Sequence, residues 1–317
     1  MMNTSLAIFV FSFNRANFLE NCINSIEACI PEHVPVIILD DNSTDPETVE
    51  YLGELSFRYQ VLFHDKADAV EMKTGGLYGA MNKAMTIAQH EEFDLVIFIQ
   101  DDMQFVRRLE INELSRYEKY FEEVPNSIQL STSFVRELSA DSFLQDHATM
   151  PDSGAYIRHL HKISGKANFS ATGVFSVERF YKLFKKFEVG EGVNSQKARQ
   201  LGLVNGRAIY PSVCWLPYPI SYRGKKRMLK HRFFERFGRS GFYPINLMTD
   251  AESKRFLERN PKIVPVMERF LVAPSAPRQD IWSTGGGEYN FVCYGGFFAR
   301  IFLCLRRVIN FLKIRKL

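Results

Sequence analysis

The sequence predicts an α/β protein with a mainly parallel, Rossmann-like sheet flanked by helices. Three observations carry that prediction. LAIFVF at 6–11, VPVIIL at 34–39 and LVIFI at 95–99 are short apolar runs without the polar alternation of a half-exposed strand, as expected of strands buried on both faces. Stretches with apolar residues at helical spacing lie between them, which implies crossover helices and therefore parallel pairing. The runs also end on polar or acidic residues, at the carboxyl edge where α/β sheets bind ligands.

Taken in order, LAIFVF is the first strand and SFNRAN the turn after it. Phe18, Leu19, Cys22, Ile23, Ile26 and Ile30 then mark one face of a helix. The second run stops at Asp40-Asp41, and DNSTDPE reads as a turn and helix start. Val61–Phe63 is a candidate third strand. After Gly75-Gly76, Leu77–Ala88 suits a helix, and the strand at 95–99 stops at Asp101-Asp102. The region from 125 to 220 is less regular, with a helix expected over Val177–Phe187. The expected domains are a catalytic unit over 1–222, divided near residue 105, then a basic, Pro-punctuated extension over 223–288 and a basic amphipathic helix over 289–317.

Composition narrows the class. The chain has 317 residues, 46% hydrophobic and 24% charged, which is globular rather than disordered. A chain this long buries enough surface to fold without a metal or disulfide. Cys22, Cys29, Cys214, Cys293 and Cys304 are odd in number and lack CxxC spacing, so reduced thiols in a cytoplasmic protein are expected and structural zinc is not. The N-terminal segment lacks the basic n-region and cleavage site of a signal peptide. The net charge of +4 is unevenly placed: the last 29 residues carry six basic residues and no acid, so the preceding 288 sum to −2.

Three clusters at strand ends could carry chemistry. Asp40-Asp41-Asn42-Ser43 offers carboxylates to a ribose or base N–H, although an Asx turn with a helix cap would use the same residues. In GGLYGAMNKAM, Gly75, Gly76 and Gly79 permit close backbone approach to a ligand, or simply form a helix entry. IFIQDDMQF is sharper, because adjacent carboxylates after a buried strand need a cation or hydrogen bonds to neutralise them. A hard divalent ion commonly combines one or two such carboxylates with substrate phosphates.

In order and spacing, AIFVFSFNRANFLENCINSI, VPVIILDDNSTDPETV, GGLYGAMNKAM and VIFIQDDMQF resemble the family 2 glycosyltransferases. The resemblance implies the GT-A, or nucleotide-diphospho-sugar transferase, fold with a C-terminal helical extension. It also implies nucleoside contacts from Ser12, Asn14, Asp40 and Asp41, with Gly76 and Asn82 beside the nucleotide. Asp102 would hold Mn²⁺ or Mg²⁺ on the diphosphate, and Asp101 would serve the ribose or a metal-bound water. Gln100 departs from the family, standing where its metal motif begins with Asp. VGEGVNSQKARQLG resembles the family's "ED" segment with Gly192 in place of Asp, which makes Glu191 the candidate base and Glu188 its alternative. His231 is a candidate third metal ligand, or a surface histidine within a basic run of eight Lys and Arg over 223–239.

The implied activity is inverting transfer from a nucleotide-diphosphate sugar, a UDP-sugar by expectation, to a hydroxyl on a saccharide or lipid-linked acceptor. Surface polysaccharide, lipopolysaccharide or glycolipid assembly is the expected setting. A nucleotidyltransferase would want a Gly-rich, Lys-containing loop after the first strand, which SFNRAN does not supply. A catalytically impaired nucleotide-sugar-binding protein is the other alternative, encouraged by Gln100 and Gly192. In the tail, Phe298, Ile301, Phe302, Leu305, Val308, Ile309 and Leu312 form an apolar stripe beside Arg and Lys. That pattern fits a helix on the anionic inner face of the cell membrane, or one docked on the catalytic unit. No nucleic-acid recognition motif accompanies the basic segments.

Overall fold

The computed structural model describes residues 4–63, 76–150, 152–158, 169–216, 242–275, 301 and 304. Among these residues a nine-stranded sheet forms the frame. Its first half is built as the apolar runs predict. β1 (Leu6–Ser12) lies between β2 (Val36–Asp40) and β4 (Leu95–Gln100), parallel to both, and β3 (Gln60–Phe63) adds to β2. Each residue of β1 is buried, and alternate residues enter different cores. Leu6, Ile8 and Val10 pack with Leu19, Ile23 and Ile26 of α1 (Ala16–Cys29) on one face. Ala7, Phe9 and Phe11 pack with Met81, Ala84 and Met85 of α3 (Leu77–His90) on the other. Full burial of such a side chain contributes roughly 1.5–3 kcal/mol, so a polar residue in β1 would cost one core whichever way it faced.

α2 (Pro46–Leu55) starts where the sequence signals it. Asp45 caps the helix by accepting from Thr48 N–H at 3.0 Å, and Pro46 occupies its first turn. The second half is less regular. After β5 (Met103–Phe105) and α4 (Ile111–Glu123) come β6 (Gln129–Ser131), α5 (Glu137–Asp146), β7 (His147–Met150), β8 (Ala155–Arg158) and β9 (Gly173–Ser176). β9 runs antiparallel between β4 and β6, and β10 (Gly206–Ala208) joins β6 to β8. β11 (Val213–Trp215) pairs with β5 in a separate two-stranded ribbon.

The helix predicted over Val177–Phe187 is shorter and differently wound. One turn of α6 (Val177–Arg179) passes into a π-turn over Phe180–Phe184, closed by Lys185 with φ +71°. Aromatic packing explains the break: Phe187 turns back to lie 4.5 Å from Phe180 and 6.2 Å from Phe98, between ring centroids. α7 (Glu191–Gln200) follows.

Residues 242–275, within the predicted extension, pack on the sheet domain. Ile245, Phe256 of α8 (Asp250–Leu257), Met267 of α9 (Met267–Phe270) and Leu271 share a core with Phe18, Val106, Phe134 and Leu216. The buried Gln104 amide pins this segment, donating to Ile245 O at 2.5 Å and accepting from Ile245 N at 3.0 Å. Cys22, Cys29 and Cys214 are free buried thiols, and Cys304 is free and exposed. No helix among the described residues is long and apolar enough to cross a membrane.

Candidate active site

The site begins at the carboxyl ends of β1, β2 and β4. The turn after β1 divides its residues between the two neighbouring strands. Ser12 and Asn14 serve the β2 side. Ser12 Oγ donates to Asp40 Oδ2 at 2.5 Å, and Asn14 N donates to Ser43 Oγ at 2.8 Å. The Asn14 amide oxygen accepts from Thr44 N at 2.6 Å and Asp45 N at 2.9 Å. Asn14 has φ +49°, a left-handed conformation that asparagine tolerates better than most residues. Asp40 also accepts from Ser43 N at 2.6 Å and Ser43 Oγ at 2.7 Å. These bonds form the Asx-type turn, from residues the resemblance also assigns to the nucleoside.

Asp41 reaches the other way. Its Oδ2 accepts from Gly76 N at 2.7 Å, joining the end of β2 to the N-cap of α3. These two residues, predicted separately to lie beside the nucleotide, are in direct contact. Asn82, expected beside the nucleotide, bonds to the backbone of a distant loop. Its Nδ2 donates to Phe187 O at 3.0 Å and its Oδ1 accepts from Phe187 N at 2.9 Å. The Asn82 amide is thus a brace between α3 and the loop that leads to Glu191.

On the β4 side, Asp101 and Asp102 are both buried. Phe13 N donates to Asp101 Oδ2 at 3.2 Å, and Arg15 Nε reaches the same oxygen at 3.1 Å. A second Arg15 nitrogen pairs with Asp101 Oδ1, and a third lies 3.1 Å from Asp102 Oδ2. One planar guanidinium therefore spans two carboxylates, a task its rigid fork of donors suits. Asp102 Oδ1 is buried with no hydrogen-bond partner. The Asp102 backbone is fixed by Leu216 N, which donates to its carbonyl at 2.8 Å. The Asp101 carboxyl is pushed up to about 7, with burial as the main cause, opposed by Arg15 and reinforced by Asp102. Burial also raises the Cys22 thiol well above its ordinary value, with Asp101 and Asp102 adding to the effect, so this thiol behind the pair is not a nucleophile.

A divalent cation fits this chemistry. A buried carboxylate oxygen with no protein partner is the kind of ligand a hard ion takes. Among the described residues no group of three or more His, Cys, Asp and Glu converges on one point, so ligands beyond the acidic pair would come from elsewhere. His231 lies outside the described residues, as do Gly75, the basic run over 223–239 and nearly all of the tail over 289–317.

Glu191 opens α7 and is exposed. Its charge helps to raise the Tyr78 phenol to about 12, after burial as the larger cause, which places it near the first turn of α3. The helix N-terminus favours a carboxylate there. A Cβ at Gly192 would meet nothing within 4 Å, so the space of the missing Asp side chain is open. Glu188, the alternative base, is paired with Lys197 Nζ at 3.0 Å. Arg15 is the residue the motif reading missed. A cation beside the strand turn that faces two successive acids was its available signal.

This combination of a parallel β3-β2-β1-β4 sheet, antiparallel β9 and an acidic pair after β4 defines the class: a GT-A type α/β fold. Residues 7–117 match the model of glycosyl transferase family 2. No curated protein matches the chain in sequence. Solved structures with a similar fold include residues 1–349 of S. aureus TarS, at 15% identity over 67% of this chain and 60% of that one, with a TM-score of 0.44. The longer S. aureus TarS structure matches at 12% identity over 80% of this chain and 42% of its own, with a TM-score of 0.45. The mannosyltransferase PcManGT from Pyrobaculum calidifontis, in complex with GDP-Man and Mn²⁺, matches at 16% identity over 96% of this chain and 79% of its own, with a TM-score of 0.45. The chain thus spans 60% and 42% of the two TarS chains.

Proposed function

We propose that the protein is a metal-dependent, inverting glycosyltransferase that uses a nucleotide-diphosphate sugar. The observation that carries this reading is the buried Asp101–Asp102 pair within the stretch that matches the family 2 model, with one Asp102 oxygen left for a cation. Asp102 is the proposed ligand of Mn²⁺ or Mg²⁺, with His231 as a candidate addition. When bound, the ion would neutralise and orient the departing diphosphate. Ser12, Asn14 and Asp40 hold the loop at 41–45 in the shape that receives the nucleoside, while Asp41 and Gly76 border it. Glu191 takes the acceptor hydroxyl proton as that oxygen bonds to the anomeric carbon and the bond to the diphosphate breaks. Attack from the opposite face inverts the configuration.

The proposed acceptor is a saccharide or lipid-linked hydroxyl in surface-glycan assembly. The acid-free, basic amphipathic sequence at 289–317 supports action at an anionic membrane face. Binding to anionic liposomes, lost on deleting 290–317, is the expected outcome for that part. The donor reading is tested by thermal shift with UDP- and GDP-sugars, each with and without Mn²⁺. Stabilisation by one donor that needs the ion is expected; none by any donor would sink the reading. A donor-binding protein without transfer is the competing reading, favoured by the open space at Gly192. Release of nucleoside diphosphate in the presence of acceptor separates the two.

A further inference from the structure

We propose that Arg15 is a positioning residue that makes capture of a divalent ion conditional on the donor's diphosphate; this rests on the donor-and-metal reading above. Arg15 is buried at 9% exposure, and its guanidinium lies 5.5 Å from the centroid of the Phe18 ring. Phe18 in turn packs 4.5 Å from Phe242, between ring centroids, so the cation is backed by aromatic packing from the 242–275 segment. Its three nitrogens engage both oxygens of Asp101 and Oδ2 of Asp102. Asp102 Oδ1 remains as the one oxygen of the pair without a partner.

Two consequences follow for a divalent ion. The pair offers it a single oxygen, whereas hard divalent ions collect six or more. A permanent positive charge also sits across the same carboxylate and opposes the ion's approach. A diphosphate corrects both deficits by supplying oxygens and negative charge together. Arg15 thereby keeps the nucleotide-free pair ordered while discouraging a bare ion from settling there. Lysine could not do the same, because a point charge cannot span both carboxylates.

The test is Mn²⁺ binding followed by electron paramagnetic resonance at pH 8, on the full chain and on Arg15→Gln. Each is titrated alone and with saturating UDP or GDP, with nucleotide-only controls. Wild type should bind Mn²⁺ at least about tenfold tighter with nucleotide than without, as expected of a site completed by phosphate oxygens. Arg15→Gln should bind Mn²⁺ alone about tenfold tighter than wild type, with the gain from nucleotide shrinking to about threefold or less. Equal or weaker binding of bare Mn²⁺ by Arg15→Gln would overturn the proposal, as would wild-type Mn²⁺ binding indifferent to a nucleotide that does stabilise the protein. If Arg15→Gln is unfolded by circular dichroism, Arg15→Lys decides alone: about threefold tighter binding of bare Mn²⁺ is expected, and no gain overturns it. Failure of the donor reading has its own signature. No nucleotide or nucleotide sugar would then stabilise the protein, while Arg15→Gln would still alter binding of Mn²⁺ alone.

Discussion

β2 and β4 flank β1 as parallel neighbours, and each runs into a pair of aspartates, yet the two pairs become different objects. Asp40 is saturated by neutral donors, the hydroxyls of Ser12 and Ser43 and one backbone N–H. Asp101 is saturated mainly by a cation, and its neighbour keeps an oxygen with no partner. The cause is the alternation of the turn after β1, which sends Ser12 and Asn14 toward β2 but Phe13 N–H and Arg15 toward β4. The lesson is that an acidic dipeptide at a strand end has no fixed role; the donors facing it decide whether it holds a loop or an ion.

The largest effect should come from the β4 pair. Asp102→Ala should lower ion-dependent transfer about a thousandfold, measured as nucleoside diphosphate released with acceptor present. Because Arg15 keeps both oxygens of Asp101, the melting temperature should move by no more than about 2 °C. Full activity in a chelator would deny the β4 pair any role in holding an ion. Next in size is Glu191→Gln, which removes the proposed proton acceptor from α7. Turnover should fall by about a hundredfold or more, while donor affinity from calorimetry stays within about twofold. Loss of donor binding instead would move Glu191 from the acceptor side to the nucleotide side.

The β2 pair should respond in the opposite sense. Asp40→Ala strands three donors, two of them hydroxyls, around a buried position. It should cost about 3 kcal/mol, read as a fall of several degrees in melting temperature. Asp40→Asn keeps one acceptor oxygen and should lose less. An Asp40→Ala protein that melts like wild type but has lost its donor would make Asp40 a ligand contact rather than a loop holder.

Much of this was legible in the sequence where burial on both faces leaves an unbroken apolar run. β1, β2 and β4, the Asp45 cap and both aspartate pairs lie where periodicity and turn chemistry place them. Three-residue strands such as β6 and β10 carry no readable period, and their pairing depends on distant partners. The π-turn over Phe180–Phe184 was hidden because aromatic packing, not local propensity, ends the helical run there. Arg15 was visible as a residue but not as a partner, since Asp101 lies 86 positions away.

The smallest effect concerns the link between the two halves. Asn82 lies on α3, within the half that carries the aspartate pairs, but its amide makes two bonds to the backbone of Phe187, 105 positions later. Asn82→Ala removes both and leaves the Phe187 N–H and C=O to find other partners, a loss of about 1–2 kcal/mol. As a brace, Asn82 should affect stability and the placement of the loop before Glu191, not the binding of nucleotide. Melting temperature should therefore fall by about 2–4 °C, turnover should drop a few-fold, and donor affinity should stay within about twofold. A tenfold or greater loss of donor affinity with unchanged melting would return Asn82 to the nucleotide contact its motif implies. It would also show that the two halves meet through the ligand rather than through this amide.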